Sequence, residues 1–200
     1  MKPILLYLHG AGGTAQEADR FRAVCLACEV RGVDYPDARP EAALPPIRAA
    51  FAAARQEGRE IMLLANSIGA YYAMLALPSE TVSRALFVSP VVDLERLLCD
   101  LLRSAGADED ALRAQGKIVT PAGPTVFWDD LCYVRAHPVE WTAPTAILCA
   151  ADDRMVARET VEAFAARHGA ALTVLPEGEH WFHTPAQLAA LDAWLRTQLG

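Results

Sequence analysis

The sequence predicts an α/β protein: a mostly parallel central sheet of about six strands, helices on both faces, and a short helical and loop insertion. Three observations carry this. Short, continuously apolar runs alternate with segments of helical periodicity, the mark of strands buried on both faces between crossover helices. The chain has 200 residues, the length of one domain with a sizeable core. Apolar residues make up 53% of it and charged residues 22%, so its composition is that of a folding chain and not of a disordered one.

Ile4–Leu8 (ILLYL) is the first strand, closed by the Gly-rich segment HGAGGT. A helix is expected over Ala15–Ala27. Glu29–Asp34 (EVRGVD) is a weaker strand stopped by Pro36. Ile47, Ala50, Phe51 and Ala54 have helical spacing, and Pro45 and Pro46 suit the first turn of that helix, where the missing N–H costs little. Ile61–Ala65 is the third strand, and a sharp turn at Asn66-Ser67 leads into a helix ending near Leu77, before Pro78. Arg84–Ser89, Thr145–Ala150 and Ala171–Leu175 complete the six strands. Val161, Phe164, Ala165 and His168 mark the helix between the last two. Leu188, Leu191 and Leu195 mark the final helix.

The rhythm breaks between the fourth and fifth strands. Residues 94–141 begin with a helix (Leu94, Leu97, Leu98, Leu101, Leu102). They continue through a charged loop, GADEDA, to a hairpin around Pro121 and Pro124, and end with Trp128, Tyr133 and Trp141. The stretch is too short for a core of its own, so it is read as a short cap inserted into a single domain of residues 1–200.

Composition also excludes partners. The net charge is −7 with the acids dispersed, and no basic cluster offers phosphates a surface, which argues against nucleic acid. Ile4–Leu8 is too short for a membrane span or a signal-peptide core, so no membrane is expected and a cytoplasmic location is the default. Five cysteines, an odd count, fit reduced thiols. Cys25 and Cys28 form a C-x-x-C without a second pair and are read as two small apolar residues on one helical face.

Four segments carry chemistry. In LLANSIGAYY, Ser67 sits between an apolar strand and a helix with Ala65 two positions before it and Gly69 two after. This is the pattern of a nucleophile elbow with Ala for the first Gly: the strained turn tolerates only small neighbours and holds the hydroxyl at a helix N-terminus. The competing role is a plain helix N-cap. In LHGAGGT, glycines let the backbone approach a ligand, and the amides of Ala11 and Ile68 are candidates for an oxyanion hole, with His9 bracing the loop. A phosphate loop is disfavoured, because no Lys-Ser/Thr follows. CAADDRMV follows the fifth strand at its carboxyl end, and Asp153 is the candidate acid, with Asp152 in reserve and otherwise expected to cap a helix, and Asp93 as another location for the acid. PEGEHWFH follows the last strand, with His180 as base and His183 as the alternative or a cap of the next helix. The two histidines have the i, i+3 spacing of a metal pair but lack further ligands, so no metal is assigned. The order Ser, Asp, His, each after a strand, is that of one hydrolase architecture.

With LYLHGAGGT, LLANSIGAYYAML, LFVSPVVDL, YVRAHPVEW, LCAADDRMV and EGEHWFH, the chain resembles the α/β-hydrolase superfamily over nearly its whole length, above all its small bacterial serine esterases. The resemblance implies the α/β-hydrolase fold, a triad of Ser67, Asp153 and His180, and oxyanion donors Ala11 and Ile68. The expected activity is cleavage of a small-molecule ester through an acyl-enzyme, without a cofactor. Trp128, Tyr133 and Trp181 are candidates for a substrate pocket. Thioester, amide or C–C cleavage by the same triad, or a non-catalytic binding protein on the same scaffold, are the alternatives.

Overall fold

The structure, a computed structural model, describes residues 1–36, 39–121 and 123–200. In chain order it runs β1 (Ile4–Leu8), α1 (Ala18–Arg22), β2 (Glu29–Gly32), α2 (Pro40–Gln56), β3 (Ile61–Asn66), α3 (Ile68–Ala76) and β4 (Arg84–Val88). Then follow α4 (Leu94–Ser104), α5 (Glu109–Gln115), β5 (Lys117–Val119), β6 (Thr125–Phe127) and α6 (Trp128–Ala136). The chain ends with β7 (Thr145–Ala150), α7 (Arg158–His168), β8 (Ala171–Leu175) and α8 (Pro185–Leu199). Two compact units divide it: Met1–Val92 with Glu140–Gly200, and Asp93–Val139.

The larger unit holds a six-stranded sheet of order β2-β1-β3-β4-β7-β8, with every neighbouring pair parallel. Strand alternation explains why the runs are apolar throughout. Leu5, Tyr7, Met62, Leu64, Leu86, Val88, Ala146 and Leu148 share one cluster with Phe21 of α1 and Leu191, Trp194 and Leu195 of α8. The residues between them, among them Ile4, Leu6, Leu63, Phe87 and Ile147, are buried as well. β1 pairs with both β2 and β3, so chain order reverses there. Open parallel sheets place ligands at the carboxyl ends of strands beside such a switch point.

Several boundaries differ from expectation. The helix expected over Ala15–Ala27 is a 3-10 turn (Ala15–Glu17) followed by only Ala18–Arg22. The amides of Val24 and Cys25 fold back on the carbonyl of Phe21, and that of Cys28 on Cys25. These turns bury both cysteines in the core, so the pair is not on a helical face. β2 ends at Gly32, two residues early, although Val33 N–H still donates to Tyr7 O at 2.9 Å. α2 starts at Pro40, which takes the first helical position, so Pro45 and Pro46 lie inside the helix. Their φ already suits a helix, and the bonds they forgo fall near its start.

In the smaller unit, α4 buries Leu94, Leu98 and Leu102. The GADEDA segment is not all loop: Asp108 caps α5, accepting Ala111 N–H at 2.8 Å, and Glu109–Gln115 is helical. The expected hairpin is β5 against β6, antiparallel. Arg135 of α6 joins Glu95 and Glu109 at 2.7 Å each, tying three helices. Among the described residues, no helix is long and apolar enough to cross a membrane.

Candidate active site

Ser67 is the hinge between β3 and α3, with φ 51° and ψ −121°. This conformation is costly for a residue with a Cβ and persists only where its surroundings enforce it. The end of β4 and the segment after it do so. Ser67 N–H donates to Val88 O at 3.0 Å, and Ser67 O accepts from Val91 N–H at 3.0 Å. Ser89 between them also has positive φ, 43°, and its N–H donates to Leu148 O at 2.8 Å.

The small residues around the turn have direct causes. A Cβ on Gly69 would stand 2.5 Å from His9 O and 2.8 Å from Leu8 O, so only glycine lets α3 approach the end of β1 this closely. A Cβ on Gly10 would stand 3.2 Å from the Cβ of Ser67. Ala65, fully buried, pairs in register with Leu8 on one side and Phe87 on the other.

Ser67 occupies the N-cap position of α3, but its side chain makes no capping bond. Its Oγ lies 2.8 Å from His180 Nε2, and His180 Nδ1 lies 2.7 Å from Asp153 Oδ2. An ionised carboxylate only accepts, so the imidazole proton sits on Nδ1 and Nε2 accepts from the serine hydroxyl. Asp153 Oδ1 accepts Met155 N–H at 2.8 Å and Val156 N–H at 3.0 Å, which fixes its rotamer. Burial pushes the Asp153 carboxyl up. The hydrogen bond and charge of His180, with the two amides, outweigh it and hold the group below the ordinary carboxylate range. All three side chains are buried.

The alternatives go elsewhere. Asp152 donates its N–H to Gly178 O at 3.1 Å and does not cap α7, whose N-cap is Ala157. Asp93 caps α4, accepting Arg96 N–H at 2.9 Å. His183 Nδ1 donates to Trp181 O at 2.9 Å, and Thr184, not His183, caps α8. The C-x-x-C thiols are inert by environment: burial pushes Cys25 up to about 11 and raises Cys28 as well.

Ile68 opens α3, directly after Ser67. Ala11 lies exposed in the turn after β1, where Gly13 N–H closes on Gly10 O at 3.0 Å. His9 braces that turn, as expected. It is 2% exposed, its Nδ1 donates to Gly10 O at 2.8 Å, and its ring stacks on Tyr35 at 4.2 Å. The hydroxyl of Tyr35 donates to His9 O. Tyr35 was not foreseen, since nothing local in VDYP points to a loop 26 residues away.

Trp181 is 56% exposed and meets His180 edge-on, ring centroids 5.6 Å apart. Trp128 and Tyr133 lie in the smaller unit. There the Arg113 guanidinium sits 4.8 Å from the centroid of the Trp128 ring, and Tyr133 stacks on His137 at 4.0 Å.

Sheet order, crossover helices and the strained serine after β3 define the α/β-hydrolase fold. Solved structures agree. Est1E from Butyrivibrio proteoclasticus superposes with a TM-score of 0.76 at 17% identity, over 99% of this chain and 87% of its own. Alpha/beta hydrolase domain-containing protein 10 from mouse has a TM-score of 0.76 at 14% identity, over 100% and 90%. An alpha-beta serine hydrolase homologue from Coxiella burnetii has 0.63 at 17%, over 100% and 85%. A comparison with protein-family models finds no match, and one with curated proteins finds none.

Proposed function

We propose that the chain is a serine hydrolase that cleaves a small carboxylic ester through an acyl-enzyme. The observation that carries this reading is the unbroken hydrogen-bond chain from Ser67 Oγ through His180 to Asp153, anchored on a strained turn. Strain without function is costly, and three buried polar side chains joined in this order fit one task.

His180 Nε2 takes the proton of Ser67 as Oγ bonds to the ester carbonyl carbon. Asp153 holds the tautomer and stabilises the imidazolium. The carbonyl oxygen becomes an oxyanion, received by the amides of Ile68 and Ala11. Such donors are typically worth ~3–4 kcal/mol of transition-state stabilisation each. The intermediate collapses, the C–O bond breaks, and His180 returns the proton to the departing alcohol. Water, deprotonated by the same imidazole, then releases the acid. Trp181 offers apolar surface beside the base, which favours an apolar or aromatic substrate group there.

The test pairs a fluorophosphonate probe with a panel of p-nitrophenyl esters, thioesters and amides. Est1E has been solved with ferulic acid bound, so a hydroxycinnamate ester belongs in the panel. Ser67→Ala is expected to lose labelling and ~10⁴-fold or more of kcat. Full labelling of that variant overturns the nucleophile assignment. A folded wild-type chain that neither labels nor turns over any substrate overturns the enzyme reading in favour of a binding protein.

A further inference from the structure

We propose that Glu17 is a positioning residue for catalysis, holding the Gly10–Thr14 loop so that the Ala11 amide faces the substrate oxygen. This rests on the serine hydrolase reading above and adds to it a residue outside the triad and the oxyanion hole.

An oxyanion donor works only if it is fixed before the reaction, because reorganising it would cost what it contributes. The loop that carries Ala11 is poorly suited to staying fixed. It contains Gly10, Gly12 and Gly13, and Gly12 has φ 73° with open space where a Cβ would be. Something outside the loop must restrain it at both ends. The first end is held by His9, stacked on Tyr35. At the other end stands Glu17.

The two oxygens of Glu17 do different things. Oε1 accepts Thr14 N–H at 3.1 Å, closing a capping box on the 3-10 turn. Oε2 accepts the hydroxyl of Tyr7 at 2.5 Å. Tyr7 belongs to β1, is 2% exposed, and packs its ring 5.0 Å from Phe21. Burial first, then the carboxylate, raises its hydroxyl far above the usual phenol range, so it serves as a donor. Glu17 therefore ties the end of the loop to the strand from which the loop springs.

The anchors meet at Gly13. A Cβ there would stand 2.6 Å from Glu17 Oε1 and 2.9 Å from the Cβ of His9. The loop is folded back and pinched between the residue that begins it and the carboxylate that ends it. A capping box alone would need only Oε1. The second bond, to a buried tyrosine of the sheet, makes the carboxylate a strut.

Three full-length variants test this. In Glu17→Gln the amide oxygen can keep the Thr14 bond while its NH₂ donates to the Tyr7 oxygen, so the strut survives. In Glu17→Ala both bonds go, and in Tyr7→Phe only the sheet bond goes. We expect Glu17→Ala to lower kcat by ~10–10²-fold with KM nearly unchanged, since a displaced donor weakens the transition state more than the ground state. Tyr7→Phe should fall between, and Glu17→Gln should stay near wild type. Amide hydrogen exchange in the peptide spanning the loop should quicken in Glu17→Ala and not in Glu17→Gln. Unchanged kcat with unchanged exchange in Glu17→Ala overturns the proposal. So does a lowered melting temperature with kcat intact, which marks a structural role alone. If wild type hydrolyses nothing, the serine hydrolase reading fails by itself, and exchange alone then decides whether Glu17 restrains the loop.

Discussion

The Ser67–His180–Asp153 line and the Gly10–Thr14 loop sit at the carboxyl ends of the same sheet, yet they are held in opposite ways. In the first the proposed reacting atoms belong to side chains, and the backbone restrains them. Ser67 is clamped by main-chain bonds to Val88 and Val91, and Asp153 by the amides of Met155 and Val156. In the oxyanion loop the proposed reacting atoms are main-chain amides, and side chains restrain them: His9 and Tyr35 at one end, Glu17 and Tyr7 at the other. Chemistry carried by side chains advertises itself by residue type. Chemistry carried by the main chain is borne by any residue, and only its braces have identities.

The largest break in this comparison comes from the side-chain half. Asp153→Asn keeps the size of the group but can present its NH₂ to His180 Nδ1, favouring the wrong tautomer and leaving Nε2 protonated. We expect kcat to fall ~10⁴-fold with little change in KM, approaching the effect of Ser67→Ala. Steady-state kinetics on the best ester of the panel measures this. If Asp153→Asn stays active while Asp93→Asn does not, the carboxylate is wrongly chosen.

The same contrast governs what could be read from the sequence. Of the six strands, β1, β3, β4 and β7 were the most legible because they are buried on both faces and apolar except at their ends, where Asn66, Arg84 and Thr145 stand. Ser67, Asp153 and His180 were legible because each follows a strand and each is a reactive type, and the structure brings these three, not Asp152, Asp93 or His183, into one hydrogen-bonded line. Of the braces, only His9 was legible. Tyr35 and Tyr7 look like ordinary apolar positions of a strand and its flank, and their hydroxyl partners lie 26 and 10 residues away. The early end of α1 was missed for a related reason. Burial of Cys25 and Cys28 in the core decided the path of the chain there, against a local pattern that favoured a longer helix.

A smaller effect tests the main-chain half. Gly69→Ala adds one methyl group where α3 meets the carbonyls of Leu8 and His9, at distances no Cβ tolerates. The helix or the loop must move. We expect a loss of stability of roughly 1–3 kcal/mol, typical of overpacking, together with lower kcat because the displaced carbonyls lead into the oxyanion loop. Urea midpoints and kinetics on the same sample read both. Unchanged values in both would mean that the contact between α3 and the loop is looser than the geometry indicates.

The smallest effect concerns what holds Asp153 ionised. Burial raises its carboxyl, and His180 with two amides lowers it further than burial raises it. The folded value therefore lies below the unfolded one, which is about 3.9 for an aspartate. A group depressed on folding contributes stability above its unfolded value and loses it as pH falls through the folded value. The stability of wild type relative to Asp153→Asn should thus be level from neutral pH down to about pH 5, then decline below about pH 4. Urea midpoints of the two proteins across that range measure the difference. A difference that instead grows in favour of wild type on acidification would mean that burial outweighs His180 and the two amides, and that the folded value lies above the unfolded one. The pairing of Asp153 with His180 would then be too weak for the carboxylate to stabilise an imidazolium, as its proposed role requires.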